Sequence, residues 1–305
     1  MNNVFNFIKY ISSGSYGIVI AVENILDGKK YALKMIPILE DSEFIVDKLG
    51  MEVNSKNITF NKDNNLIVNF LPEASPLDTI LTEIKILANM DHPNINKYHN
   101  SYITKIESAT TNQMLCVIQM EYYDTTLDDY INHYIVSSGD RLKIIQQLIC
   151  GTKYLHDHNI IHNDLSPKNI LVKIDKISNN IAVAITDFGS SIHMFNDFNI
   201  SKLKNGGTYP WLAPELTEMI GSSEESEISI YSEDNIQYLS KSIDIYALGI
   251  IIYQISYKIK TVSELICSLK TNNLFDGVLS DCMNIKPRRR PNIQQLQEWL
   301  PKNMS

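Results

Sequence analysis

One stretch of this chain constrains its fold more than any other: the polar string HNDLSPKN set between apolar runs in IIHNDLSPKNILV, Ile160–Val172, followed by ITDFGSS at Ile185–Ser191. β-Branched runs at Ile170–Ile174 and Ile181–Thr186 predict a strand pair, and it interrupts text of helical period such as DRLKIIQQLICGTKYLHDH beyond Asp128. Upstream the pattern differs. From Tyr10 to Lys34, alternating β-branched and aromatic residues around Gly14, Gly17 and a DGKK turn predict three antiparallel strands. ILTEIKILAN at Ile80–Asn89 has helical spacing, and MLCVIQMEYY at Met114–Tyr123 reads as a buried strand. The fold class is therefore α+β, with a β-rich first lobe holding one main helix and a mostly helical second lobe.

At 305 residues with 44% apolar side chains, the chain has enough material for a real core. A formal charge of −8 argues against a nucleic-acid backbone as the main partner. Cys116, Cys150, Cys267 and Cys282 lie far apart with no paired spacing, so neither a disulfide framework nor a zinc site is expected, and a reducing, cytoplasmic or other intracellular compartment fits. MNNVFNFIKYI lacks the order of a secretion signal, so no export is expected. The most apolar stretch, Ile243–Ile255, is too short and, with Asp244, too polar to span a bilayer. Abundant Asn and Ile suit an AT-rich genome, as in large DNA viruses, where the compartment would be a host cell or virion, or in certain protists. Two segments read as surface insertions: residues 37–78, where ITF and LIVNFL flank NKDNN as an extra hairpin, and the Ser- and Glu-rich residues 221–234.

Three further features carry chemistry only in combination. In SSGSYGIV, Gly14 and Gly17 flank Ser15 and Tyr16 after Ser12 and before Val19; such a turn lets backbone N–H groups approach phosphates, and equally makes an ordinary hairpin. Lys34 ends the apolar strand YALK, where it can meet phosphate oxygens or serve as an edge-strand charge. Glu83 lies on the next helix, to hold that ammonium or to face solvent. Asp164 and Asp187 would, in isolation, read as a turn residue and a helix cap.

The strings together resemble the protein kinase family. HNDLSPKN stands where the family has HRDLxxxN, DFG is intact, GGTYPWLAPE at Gly206–Glu215 resembles the end of the activation segment, and PRRRP at Pro287–Pro291 resembles the late arginine motif. A given tripeptide arises by chance in only about 4% of chains this long, so several in the family's order exclude coincidence. The resemblance covers about Tyr10 to Leu300 and implies a bilobal kinase domain over residues 1–305, with an N-lobe to about 123 and a C-lobe from about 124. It implies ATP and Mg2+, with protein substrates. Asp164 would accept or orient the hydroxyl proton, Asn169 and Asp187 would hold magnesium, and Lys34 and Glu83 would form the phosphate-binding pair. Val19, Ala32 and Leu171 match positions that sandwich adenine, Met120 the gatekeeper, and Glu121–Tyr123 the hinge. Glu215 would pair with Arg290, and Asp244 would brace the catalytic loop. LHDHNIIH, with His156 and His158, matches the helix end before that loop better than a metal site.

Departures from the family matter too. Ser12 replaces the first glycine, while Gly14 is kept. Asn163 replaces the HRD arginine, which removes the usual receiver of an activation-loop phosphate, so phosphorylation there is not expected to be the main switch. Ser166 stands where serine/threonine kinases carry lysine, and Lys168 resembles the tyrosine-kinase arrangement, whereas Gly207-Thr208 is a serine/threonine feature, with Thr208 placed to bond Asp164. Serine/threonine specificity is expected, with dual specificity open. The rivals are a pseudokinase that binds partners through the two insertions, against which the set Lys34, Glu83, Asp164, Asn169 and Asp187 speaks while Asn163 and Ser166 keep it open, and a small-molecule kinase, which would lack the APE segment and its arginine.

Overall fold

The computed structural model describes residues 4–14, 17–38, 59–60, 66–67, 77–107, 112–175, 180–194, 203, 206–221, 233–271 and 277–303. The chain divides into two compact units, Met1–Asp91 with Asn96–Tyr123, and His92–Ile95 with Asp124–Ser305.

The first unit runs β1 (Phe5–Gly14), β2 (Gly17–Asn24), β3 (Lys30–Ile38), β4 (Thr59–Phe60), β5 (Leu66–Ile67), α1 (Leu77–Ala88), β6 (Tyr98–Glu107) and β7 (Asn112–Glu121). Its antiparallel sheet has the order β1-β2-β3-β7-β6. The DGKK turn forms because Asn24 Oδ1 accepts from the Leu26 N–H and Asp27 Oδ1 from the Lys29 N–H, both at 2.8 Å. The two-residue period of strands then sorts the side chains. Ile18, Ile20, Val22, Tyr31, Leu33, Met35, Leu115 and Val117 form one core cluster, and the alternate positions Val19, Ala32, Lys34 and Met120 share the opposite face. On α1, which packs on β6, the buried Ile80, Glu83 and Leu87 recur at helical spacing, so Glu83 lies within the apolar stripe.

Both boundaries of the first predicted insertion differ from the expectation. β3 continues through Pro37 and Ile38, paired with Leu115 and Met114, and α1 has begun by Leu77. Proline and acidic text read as a break, but pairing with the hydrophobic β7 carries the strand onward. Between them, β4 and β5 pair antiparallel in the register Thr59↔Ile67 and Phe60↔Leu66. The rest of that insertion, residues 39–58, 61–65 and 68–76, lies outside the described residues.

The second unit holds β8 (Thr125–Thr126), α2 (Leu127–His133), α3 (Ser138–Asp157), β9 (Ile160–Ile161), β10 (Ile170–Asp175), β11 (Asn180–Ile185), β12 (Ile192–His193), α4 (Pro214–Gly221), α5 (Glu233–Ser256), α6 (Val262–Thr271), α7 (Val278–Cys282) and α8 (Ile293–Asn303). Side-chain caps start α2 and α3: Thr126 and Ser137 accept from the N–H groups of Asp129 and Asp140, each such cap being worth about 1 kcal/mol. β10 pairs with β11 and β8, and β12 with β9. From Ser242 to Ile255, α5 is buried on nearly every side, as expected of a helix at the centre of a helical unit. Among the described residues, no helix is long and apolar enough to cross a membrane. The second predicted insertion is shorter than 221–234, because Gly221 closes α4 and Glu233 opens α5; residues 222–232 lie outside the described set.

His92–Ile95 belong to the second unit through bonds that periodicity does not reveal. Asn94 Nδ2 donates to Val183 O at 2.9 Å and Gln147 Oε1 at 3.1 Å, and Asn94 O accepts from the Ile185 N–H at 2.9 Å. Gln147 of α3 continues the seam, accepting from the Val183 N–H and donating to Ile181 O. Gly151 on the same helix permits this approach: a Cβ there would lie 2.9 Å from Asn94 O and 3.1 Å from Ile185 Cδ1. Gly→Ala in a helix ordinarily gains about 0.5–1 kcal/mol, whereas overpacking costs about 1–3 kcal/mol. Gly151→Ala is therefore expected to lower the melting temperature, measurable by calorimetry; a rise would show that the seam is loose.

Candidate active site

In the first unit, Lys34 Nζ lies 2.7 Å from Glu83 Oε1, and both side chains are buried, at 8% and 4% exposure. β3 is an interior strand, so Lys34 is not an edge charge, and Glu83 is not a solvated helix residue. The setting is apolar: burial pushes the neighbouring Cys116 thiol up to about 12, the Glu83 charge adding to the rise and Lys34 opposing it. Ala32 pairs with Met120, and Val19 with Lys34, so these predicted base- and phosphate-binding positions line one sheet face. The Glu121 N–H donates to Lys97 O at 2.9 Å within the sheet. Burial raises the half-buried Tyr123 phenol to about 12. Ser12 is exposed on β1, paired with Val19, and Gly14 faces Gly17 across the turn; Ser15 lies outside the described residues.

In the second unit the loop after β9 is held from beneath. Asp244, 1% exposed at the centre of α5, accepts the His162 N–H on Oδ2 at 2.9 Å and the Asn163 N–H on Oδ1 at 3.0 Å. His156 Nε2 adds a third bond to Oδ2 at 2.9 Å. A buried carboxylate is tolerable only when satisfied in this way. Asn163 consequently adopts a left-handed backbone with φ 63°, which asparagine accepts more readily than most residues. His162 turns its ring inward: Nδ1 accepts the Asp164 N–H at 3.3 Å, which leaves Nε2 to donate to Thr186 O at 2.9 Å, and its ring centroid is 5.1 Å from that of buried Phe188.

Asp164 is thereby presented with both carboxylate oxygens engaged. Oδ1 accepts from Thr208 Oγ1 at 2.7 Å, and Oδ2 from Asn169 Nδ2 at 2.9 Å. Asn169 Nδ2 also donates to Asp164 O at 2.8 Å, so the amide's hydrogens are committed to this loop and its oxygen is turned elsewhere. Burial pushes the Asp164 carboxyl above its ordinary value; the Thr208 bond and the nearby His162 oppose this, the Asp187 charge adds to it, and the Asn169 bond opposes it again. Asp187, like Asn163, is a left-handed non-glycine residue, with φ 65°, just before the turn Phe188–Ser190. Asn169 and Asp187 offer an amide and a carboxylate oxygen, the donor set of a magnesium ion that takes few protein ligands and completes its shell with phosphates and water. Lys168 is exposed on the turn Pro167–Asn169, and Leu171 is half-buried on β10 opposite Thr126.

The predicted supports are also present. Arg290 is buried and grips Glu215 with two parallel 2.6 Å bonds, then donates to Ser242 O at 3.0 Å and Asn284 O at 2.9 Å. The sequence reading left His156 without a role, yet it is the third donor to Asp244; its signal was a histidine on the inward stripe of α3, where a buried polar residue needs a partner. His158 instead is exposed, its ring tilted at 40° against that of Tyr154 with centroids 4.2 Å apart. No cluster of three or more metal-ligating side chains occurs among the described residues.

This geometry agrees with the comparisons. Residues 5–300 match the family model of the protein kinase domain. The chain is 27% identical to the interferon-induced, double-stranded RNA-activated protein kinase of Rattus norvegicus, covering 99% of this chain and 53% of that protein. It is 25% identical to the serine/threonine-protein kinase GRIK2 of Arabidopsis thaliana over 80% of this chain and 48% of that one. A 31% match to the sensor for unfolded proteins in the ER ire1 of Schizosaccharomyces pombe covers 58% of this chain and 17% of that protein. The chain thus spans about half the length, or less, of these curated relatives. With the family model matched over nearly its whole length, the chain belongs to the protein kinase domain family.

Proposed function

We propose that this chain transfers the γ-phosphoryl group of ATP to serine or threonine hydroxyls of protein substrates. The observation that carries the reading is the 2.7 Å bond from Thr208 Oγ1 to Asp164 Oδ1, which ties the segment before the APE string to the candidate base. In the reaction, the substrate hydroxyl oxygen forms a bond to the γ-phosphorus as the bond to the β-bridging oxygen breaks. ADP leaves with that electron pair, and the hydroxyl proton passes to Asp164. Lys34, held by Glu83, engages the α- and β-phosphates, and Lys168 supplies the cation near the γ-phosphate that Ser166 cannot. By the family resemblance, the glycine-turn positions Ser12, Gly14, Ser15 and Gly17 are those that would offer backbone N–H groups to phosphates, and Val19, Ala32 and Met120 of the first unit and Leu171 of the second are the base-contacting positions, with Glu121 and Tyr123 as its edge contacts. Asn169 and Asp187 would hold Mg2+, which when bound neutralises phosphate oxygens. The serine/threonine names among the relatives support the same reading.

Purified protein incubated with γ-labelled Mg-ATP and generic protein substrates is expected to label serine and threonine, identified by mass spectrometry. Asp164→Asn and Lys34→Met are expected to abolish labelling. Retained ATP binding with no transfer in any form would replace the enzyme with a partner-binding module. Lys34→Met also removes the ion-pair partner of the buried Glu83 charge, a change that costs about 3–5 kcal/mol, so its melting curve belongs beside its assay.

The pH dependence follows from Asp164. Its carboxyl titrates above the ordinary value of about 4, so the acid limb of kcat/KM is expected at correspondingly higher pH, activity falling as the carboxylate gains its proton. The Thr208 hydroxyl stabilises the ionised form. Thr208→Ala is therefore expected to move the acid limb further upward and Thr208→Ser to leave it in place, read from pH–rate profiles. An unmoved limb in Thr208→Ala would remove Thr208 from contact with the base.

A further inference from the structure

We infer that Asn163 is a positioning residue whose neutral amide holds Ser190, Leu203 and Gly206 against the catalytic loop, doing without a phosphate what a phosphorylated side chain and a loop cation do elsewhere. The inference rests on the kinase reading above and adds how that site is regulated.

Asn163 is 2% exposed, and its direction is fixed twice, by the left-handed backbone and by its N–H bond to Asp244. From that position Nδ2 reaches Ser190 O at 3.3 Å and Leu203 O at 3.5 Å. Both bonds are long and individually weak, but an amide nitrogen carries two hydrogens and here faces two carbonyls from different parts of the chain. Gly206 closes a third side: a Cβ there would stand 2.0 Å from Nδ2 and 2.7 Å from Asn163 O, so its backbone already lies against the amide. Thr208, whose hydroxyl reaches Asp164, follows Gly206 by two residues. Asn163 thus acts on the base through Thr208.

The surroundings suit a neutral donor. Ser191, 3% exposed, donates its hydroxyl to His162 O at 3.1 Å. A phosphate on that oxygen would lose the donation and bring close to two negative charges beside a carbonyl. Close by, Asp164, Asp187 and Asp244 are all acidic. Backbone bonds join the same region to the loop independently, with Ile192 paired to Ile161 and the Met194 N–H donating to Asn159 O at 2.9 Å.

Two variants separate the amide from the fold. Asn163→Gly keeps the left-handed backbone without strain and deletes the side chain, and Asn163→Asp keeps the shape but cannot donate when ionised. Wild-type protein treated with a phosphatase is expected to retain turnover within about twofold, while both variants lose about tenfold or more in kcat, the scale of one positioned acid–base contact, with KM for ATP unchanged. Asn163→Gly combined with Thr208→Ala is further expected to cost no more in kcat than the larger of the two single losses. Amide hydrogen exchange gives an activity-independent readout: Phe188–Met194 and Gly206–Trp211 are expected to exchange faster in the variants than in wild type. Loss of turnover on dephosphorylation would overturn the inference, as would variants with wild-type kcat or exchange; if the wild type transfers no phosphate, the kinase reading fails while exchange still decides the tether.

Discussion

A single buried carboxylate organises the catalytic loop. Asp244 would be intolerable in the middle of a helix enclosed by isoleucines unless its lone pairs were occupied, and three donors occupy them: the consecutive N–H groups of His162 and Asn163, and the His156 ring. Two successive N–H groups can aim at one carboxylate only if the chain turns sharply. That turn is the left-handed conformation of Asn163. It swings the His162 ring toward Thr186 and Phe188 and sends Asp164 the other way, toward Thr208 and Asn169. A buried charge beneath the loop therefore fixes where the carboxylate of Asp164, the proposed base, stands. The arrangement is stable because α5 is anchored in turn, its Ser242 carbonyl accepting from the Arg290 guanidinium that also grips Glu215.

The electrostatics at Asp164 are a balance rather than a maximum. Burial and the Asp187 charge favour the protonated form, while hydrogen bonds from Thr208 and Asn169 favour the carboxylate. A fully solvated carboxylate would be a weak base, and a fully desolvated one would hold its proton at neutral pH. Donors that can be removed one at a time, one of them on the segment that Asn163 holds, make this balance adjustable from outside the loop.

Much of this was legible in the text, and the exceptions have physical reasons. Strings such as HNDLSPKN, DFG and GGTYPWLAPE name their residues because the chemistry demands particular side chains at fixed spacing, and period-two and period-3.6 patterns located most elements because burial enforces them. The seam of Asn94, Gln147 and β11 was invisible, since its bonds run to backbone carbonyls that no side-chain pattern records. The duty of His156 is not written locally, because its hydrogen-bond partner is an aspartate far along the chain. The strand end at Ile38 was missed because Pro37 signals a break locally while cross-strand pairing to β7 acts at long range. Asn163 was read as a lost arginine. In the fold its amide faces the Ser190 and Leu203 carbonyls and the backbone of Gly206, which the sequence string does not record.

The Lys34–Glu83 pair follows a different logic from Asp244. Burying both charges brings little net stability, because desolvation consumes most of their attraction, and a matched apolar pair would stabilise the unit as well or better. Their persistence in an apolar sheet face is thus poorly explained by folding. It is better explained by a need to hold a buried ammonium on the face shared by Val19, Ala32 and Met120, where the Glu83 bond fixes its place. Stability spent in this way is itself evidence for a site, since the fold alone would select against it.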